Sequence, residues 1–274
     1  MAKSTEKIPI KKNSPPRQPT TGRTRLWKAL LALLLLLLPL ALLLAIVLGA
    51  KRVFFAGNDR FMLKHVSVER GRFWRGRENV LAQRIGLAPG TNLFALDYRK
   101  LRERLATIPS IESAEVVPVL PDTIELRLIE RIPRAAIGNP NSPWVVDENN
   151  IVIPRTESLA AENLRLPVIS GIPPAEVRLG AKLDRLAPAM ELIMATVRGF
   201  PQIRISWISV ADKEKLLFTM RYRDSRQLTV TLPTSNRGVN FMLSALQSAI
   251  LDAWRFGDER SNFNLSYEGR VVLK

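Results

Sequence analysis

Few side chains in this sequence could do chemistry. His65 is the only histidine, and there is no cysteine among the 274 residues. Thiol catalysis, disulfides and thiolate metal sites are therefore excluded. A zinc site would need carboxylates at helical spacing, and none are so placed. No Gly-x-Ser-x-Gly elbow and no glycine-rich phosphate cradle occurs. Glu112, Glu115, Asp122, Glu125 and Glu130 form one acidic concentration. A glycosidase pair drawn from them would need two acids about 5–9.5 Å apart across a cleft. They fall in segments that alternate like strands, where they read as solvated faces, and His65 reads as a satisfied structural histidine in a strand. The expectation is no catalytic site, no metal and no cofactor, which leaves binding.

The elements that would carry a binding surface divide into three stretches and a body. Residues 29–50 (ALLALLLLLLPLALLLAIVLGA) hold no charge. As a helix they span about 33 Å, close to the hydrocarbon thickness of a bilayer. A buried core helix would show a polar face. A cleaved signal peptide has a shorter apolar run and wants a small residue where Leu48 stands. A transmembrane helix is the stronger reading, with Pro39 tolerated mid-span. Residues 1–28 carry Lys3, Lys7, Lys11, Lys12, Arg17, Arg23, Arg25 and Lys28 against Glu6 alone, so they are expected to stay cytoplasmic as a disordered basic tail. Residues 51–60 form a juxtamembrane linker, and the rest lies across the membrane. The whole chain has 41 Lys and Arg against 25 Asp and Glu, net +16. Outside the cell such a surface meets anionic lipid or wall polymer rather than nucleic acid.

The body reads as α+β. Residues 61–68 end in a strand pattern, Glu78–Ile85 suits a short helix, and Asp97 can cap a helix over Tyr98–Ala106. Ile111–Val119 and Thr123–Ile129 are strands joined by the tight turn Leu120-Pro121-Asp122. Beyond residue 132, short strands are expected at Ala135–Ile137, Trp144–Val146, Ile151–Ile153 and Leu166–Ile169. Asp147–Asn150 forms a turn in which Asn150 can take a left-handed conformation. Amphipathic helices over Leu183–Val197 and Phe241–Trp254 enclose strands at Ile203–Val210, Lys215–Tyr222 and Gln227–Leu232. Asn262–Tyr267 and Arg270–Leu273 close the chain as two short strands. A strand there can lie at a sheet edge, and the apolar run Val271, Val272, Leu273 could accept a partner strand, an ordinary core strand being the alternative.

The order of these segments resembles the FtsQ/DivIB bacterial cell-division proteins. The resemblance is carried by FMLKHVSV at 61–68, PGTNLFALD at 89–97, IPSIESAEV at 108–116, LPDTIELRLIERIPRA at 120–135 and WVVDENNIV at 144–152. It departs from the family pattern at Asn150, where glycine is common, and at Val117 and Pro118, where basic residues are. It implies a POTRA-type β-α-α-β-β unit over 61–131, packed end-on to a β-rich domain with two helices over 132–274. It also implies a non-enzymatic, single-pass scaffold in the plasma membrane at the division septum, with the body periplasmic or extracytoplasmic. The partners implied are small coiled-coil division proteins of the FtsB/FtsL type, the septal wall synthase complex and membrane lipid, with no nucleic acid and no small-molecule substrate. The docking edge implied is Tyr267, Gly269, Arg270, Val271, Val272 and Leu273. Val116, Glu130, Arg131 and Pro133 are implied to serve the junction between the domains or recruitment. Alternative readings are a POTRA-containing outer-membrane assembly or secretion factor, and an exported wall-active enzyme.

Overall fold

The computed structural model describes residues 22–51, 58–157, 165–223, 226–234, 238–266 and 271–273. The first unit contains helix α1 (Gly22–Lys51), with Pro39 inside it. Its stretch Leu30–Gly49 is long and apolar enough to cross a membrane, and none of it is buried. The helix starts seven residues before the apolar run, so Arg23, Arg25 and Lys28, expected in the tail, belong to it. An apolar helix with no polar face has only lipid or another apolar surface to turn to.

The second unit begins at Asn58. Strand β1 (His65–Glu69), helix α2 (Glu78–Arg84), helix α3 (Tyr98–Ala106) and strands β2 (Ile111–Val119) and β3 (Thr123–Glu130) give the β-α-α-β-β order. The sheet order is β1-β3-β2. The β1–β3 pair is parallel and the β2–β3 pair antiparallel, with Val68 opposite Leu126 and Val116 opposite Leu126. Asp97 caps α3 by accepting the N–H of Lys100. The inward row of β3, Ile124, Leu126 and Leu128, shares one core with Leu81 of α2, with Ile85 just past its end, and with Leu101 and Leu105 of α3. His65 is exposed on β1, as expected in a strand but not packed into the core, and its backbone N–H donates to the Asp122 carbonyl at 3.2 Å.

The rest is a single nine-stranded sheet in the order β12-β11-β10-β9-β8-β7-β4-β5-β6. Its strands are β4 (Pro133–Ile137), β5 (Trp144–Asp147), β6 (Val152–Pro154), β7 (Val168–Ser170), β8 (Ile203–Ser209), β9 (Lys215–Tyr222), β10 (Gln227–Pro233), β11 (Asn262–Asn264) and β12 (Val272–Leu273). Pairs β4–β7, β7–β8 and β10–β11 are parallel. The second and third are crossovers, made through helix α4 (Ala187–Gly199) and helix α5 (Val239–Arg255). Both helices share a core with one face of the sheet, where Ile193, Leu243 and Leu246 are packed among Ile208, Phe218 and Val230. A smaller cluster, Ala136, Val145, Ile153 and Val168 with Trp207 against it, covers part of the other face.

Asn150 has φ 63°, the left-handed conformation that a turn after Asp147 demands. The β6 margin of the sheet is covered. The Val152 N–H donates to the Ala181 carbonyl at 3.0 Å, and the Gly180 N–H to the Val152 carbonyl at 2.9 Å.

Candidate docking edge and domain junction

At the other margin lies β12. It pairs with β11 alone, Leu273 opposite Phe263 and Val272 opposite Asn264, and no strand lies beyond it among the described residues. Val271 and Leu273 are half-buried against the larger core. The strand thus packs Val271 and Leu273 on its own domain, and among the described residues no second strand pairs with its outer side. Its two-residue length keeps the margin short. Tyr267, Gly269 and Arg270, expected to join Val271–Leu273 at this edge, lie outside the described residues.

A charged clamp fastens β12 from the side. Arg260 donates from Nη1 to the Leu273 carbonyl at 3.1 Å, and its Nε donates to both carboxylate oxygens of Asp258, at 3.0 and 2.9 Å. Hydrogen bonds from the Arg260 side chain and backbone hold the Asp258 carboxyl down at about 2. Beside this turn, Phe256 is 82% exposed, and Trp254 sits edge-on to Tyr222 with centroids 5.5 Å apart. The helix pattern placed Trp254 on the apolar face but gave no sign that Phe256, just past the helix, would stand in solvent.

The four residues expected at the junction have different surroundings. Val116 is buried in the first core. Pro133 is buried at the start of β4, opposite Asp147. Glu130 does not lie on a solvent face, contrary to the reading of the acidic cluster. Its carboxylate is half-buried and accepts the backbone N–H of Phe73 (3.0 and 3.1 Å) and of Trp74 (3.1 Å), holding the loop after β1. A Cβ on Gly71 would come within 2.8 Å of Val68 Cγ1 and 3.1 Å of Glu130 Oε1, so only glycine lets the loop approach this closely. The signal was present in the sequence: Glu130 has the same strand parity as Ile124, Leu126 and Leu128, and therefore points inward.

Arg131 carries the chain from one domain to the next. Its N–H donates to the Ser110 carbonyl at 2.9 Å. Its guanidinium Nη1 lies 2.7 Å from Asp147 Oδ2. Asp147 is 2% exposed, and its other oxygen accepts the N–H of Asn149 (3.0 Å) and of Ile151 (2.8 Å). One carboxylate thereby fixes a turn of the second domain and the exit residue of the first. A second tie comes from Glu157, which accepts from Ser110 Oγ at 2.6 Å and pairs with Arg84 at 2.7 Å. Sequence reasoning did not single out Glu157; its partners lie 47 and 73 positions away. Among the described residues no group of three His, Asp or Glu is placed to hold a metal ion.

Comparison with known proteins gives these features a setting. Residues 75–131 match the family described as POTRA domain, FtsQ-type. The chain is 33% identical over 156 residues to the cell division protein FtsQ of Syntrophotalea carbinolica, covering 56% of this chain and 53% of that one. It is 25% identical over 185 residues to FtsQ of Koribacter versatilis, covering 66% of this chain and 52% of the other. To the cell division protein DivIB of Clostridium acetobutylicum it is 22% identical over 133 residues, covering 48% and 52%. The chain spans about half the length of the curated relatives it matches. The resemblance drawn from the segments at 61–152 and the α+β, POTRA-containing fold are borne out by these matches.

Proposed function

We propose that this FtsQ/DivIB-type chain is a non-enzymatic, single-pass scaffold of the bacterial division septum. Helix α1 anchors it in the plasma membrane. The basic residues before the apolar run keep that side cytoplasmic, and the domains from Asn58 onward work outside. They hold small coiled-coil division proteins of the FtsB/FtsL type and help regulate septal wall synthesis. The observation that carries the reading is β12, a strand with one neighbour among the described residues, in a sheet whose opposite margin is covered. Main-chain groups on its free side can pair with a partner strand. The Val271 and Leu273 side chains, packed on the core, keep the register from slipping.

The test is in vivo crosslinking from a photoreactive residue at Val272. Capture of a small coiled-coil division protein is the expected result. Consistent failure to capture it, with the protein expressed and septum-localised, counts against docking at this edge.

A further inference from the structure

We infer that the second domain holds a binding groove for a phosphate-bearing amphiphile, on a different part of the sheet from β12. A cleft of about 730 Å³ opens where β4, β7, β8, β9 and β10 bring one set of their ends together. Arg134, Arg165, Arg204 and Arg221 line it, and no carboxylate does among the described residues. Arg204 and Arg221 are exposed and stand directly opposite each other on β8 and β9. Like charges in that position repel, and a fold gains nothing from them unless an anion comes between. Arg134 has Glu148 at 3.2 Å on one nitrogen, while its buried Nε has no hydrogen-bond partner.

The chemistry narrows the ligand. Each guanidinium presents a fork that matches two oxygens, and a tetrahedral phosphate can meet several forks from different directions, whereas a planar carboxylate meets fewer. An extended peptide is disfavoured because all five strands are interior to the sheet, paired on both sides, with no main-chain groups to offer. Part of the lining is apolar, with Leu166 and Val168 belonging to the cluster on the sheet face to which strand alternation assigns Arg134, Arg204 and Arg221. That part suits a hydrocarbon portion attached to the phosphate. The volume lies in the range of small-molecule sites, about 300–1,000 Å³. The ligand class is thus a phosphate or diphosphate ester with an apolar substituent, free or as a lipid headgroup.

The full chain in neutral detergent is titrated calorimetrically with inorganic pyrophosphate, with dihexanoyl phosphatidic acid and with an oligo-glutamate peptide. Binding of both phosphate probes, weakened about tenfold or more in Arg204→Gln/Arg221→Gln, is the expected result. Binding of phosphatidic acid alone, with the same loss, supports the groove and assigns the phosphate to a lipid headgroup. Binding of neither, equal binding by the double variant, or an equal loss in the α3 control Arg99→Gln/Arg102→Gln overturns the inference. So does tighter binding of the peptide. The double variant removes two opposed charges from an exposed face, so its Tm should not fall. Should it fall, Arg165→Gln takes its place and must weaken both probes.

Discussion

The Glu130 carboxylate grips the Phe73 amide with both oxygens, joining the last residue of β3 to a loop 57 positions earlier. Hydrogen bonds to a charged acceptor contribute about 1.5–3 kcal/mol, and the amides left behind lose their partner. Glu130→Ala is expected to lower the unfolding free energy by about 2–3 kcal/mol, read from urea or guanidinium denaturation. Gly71→Ala should act through the same loop, because its Cβ meets Val68 and Glu130. A neutral outcome for both variants would show that this anchor adds nothing to stability.

Asp147 is the more costly residue to lose. Its removal leaves Arg131, only 14% exposed on its side chain, without a counter-charge, and frees two turn amides. Breaking a buried pair from one side typically costs about 3–5 kcal/mol. Asp147→Ala should therefore destabilise the protein more than Arg134→Ala, whose partner Glu148 is 45% exposed. Denaturation midpoints of the two variants decide the order.

Asn150 tests backbone conformation in isolation. Its φ of 63° suits glycine, and its buried side-chain oxygen has no partner. Asn150→Gly is expected to stay within about 0.5 kcal/mol of the parent or exceed it, while Asn150→Val should cost about 1–2 kcal/mol. Equal melting temperatures for the two variants would contradict the strain argument.

The Asp258–Arg260 clamp predicts a pH response at the β12 edge. The folded carboxyl lies at about 2, below the ordinary 3.8. The stabilisation it gives is thus complete above about pH 4 and is lost as the pH falls toward 2. In Arg260→Gln the Asp258 carboxyl resonance should titrate near its ordinary value. The amide protons of β11 and β12 should also exchange faster, because Arg260 no longer holds the Leu273 carbonyl. Unchanged titration would mean the clamp is not formed in solution.

Local patterns made much of the fold legible. The apolar run 29–50, the Asp97 cap and the alternation of Thr123–Ile129 each show in a short window, and α1, α3 and β3 follow them. What stayed hidden depends on distant partners. Nothing in Val168–Ser170 shows that it lies between β4 and β8 in parallel, and that insertion is what merges the short strands into one continuous sheet. The site was legible to the same degree. Val271–Leu273 could be read as an edge strand or a core strand from its apolar run at the chain end, but Glu157 and the four-arginine cleft exist only once remote segments meet. Glu130 was readable from strand parity, which groups it with Ile124, Leu126 and Leu128, and was misread because the alternation was applied to the acidic residues as one set.

The covered β6 margin sets an arithmetic limit on assembly. A sheet extensible at both borders can add copies indefinitely and grow into a fibre. Here Gly180 and Ala181 occupy the groups of Val152 that a newcomer would need. Under the proposed docking, a strand that joins at β12 therefore completes the nine-stranded sheet instead of extending a series, and that sheet takes one such guest and then stops.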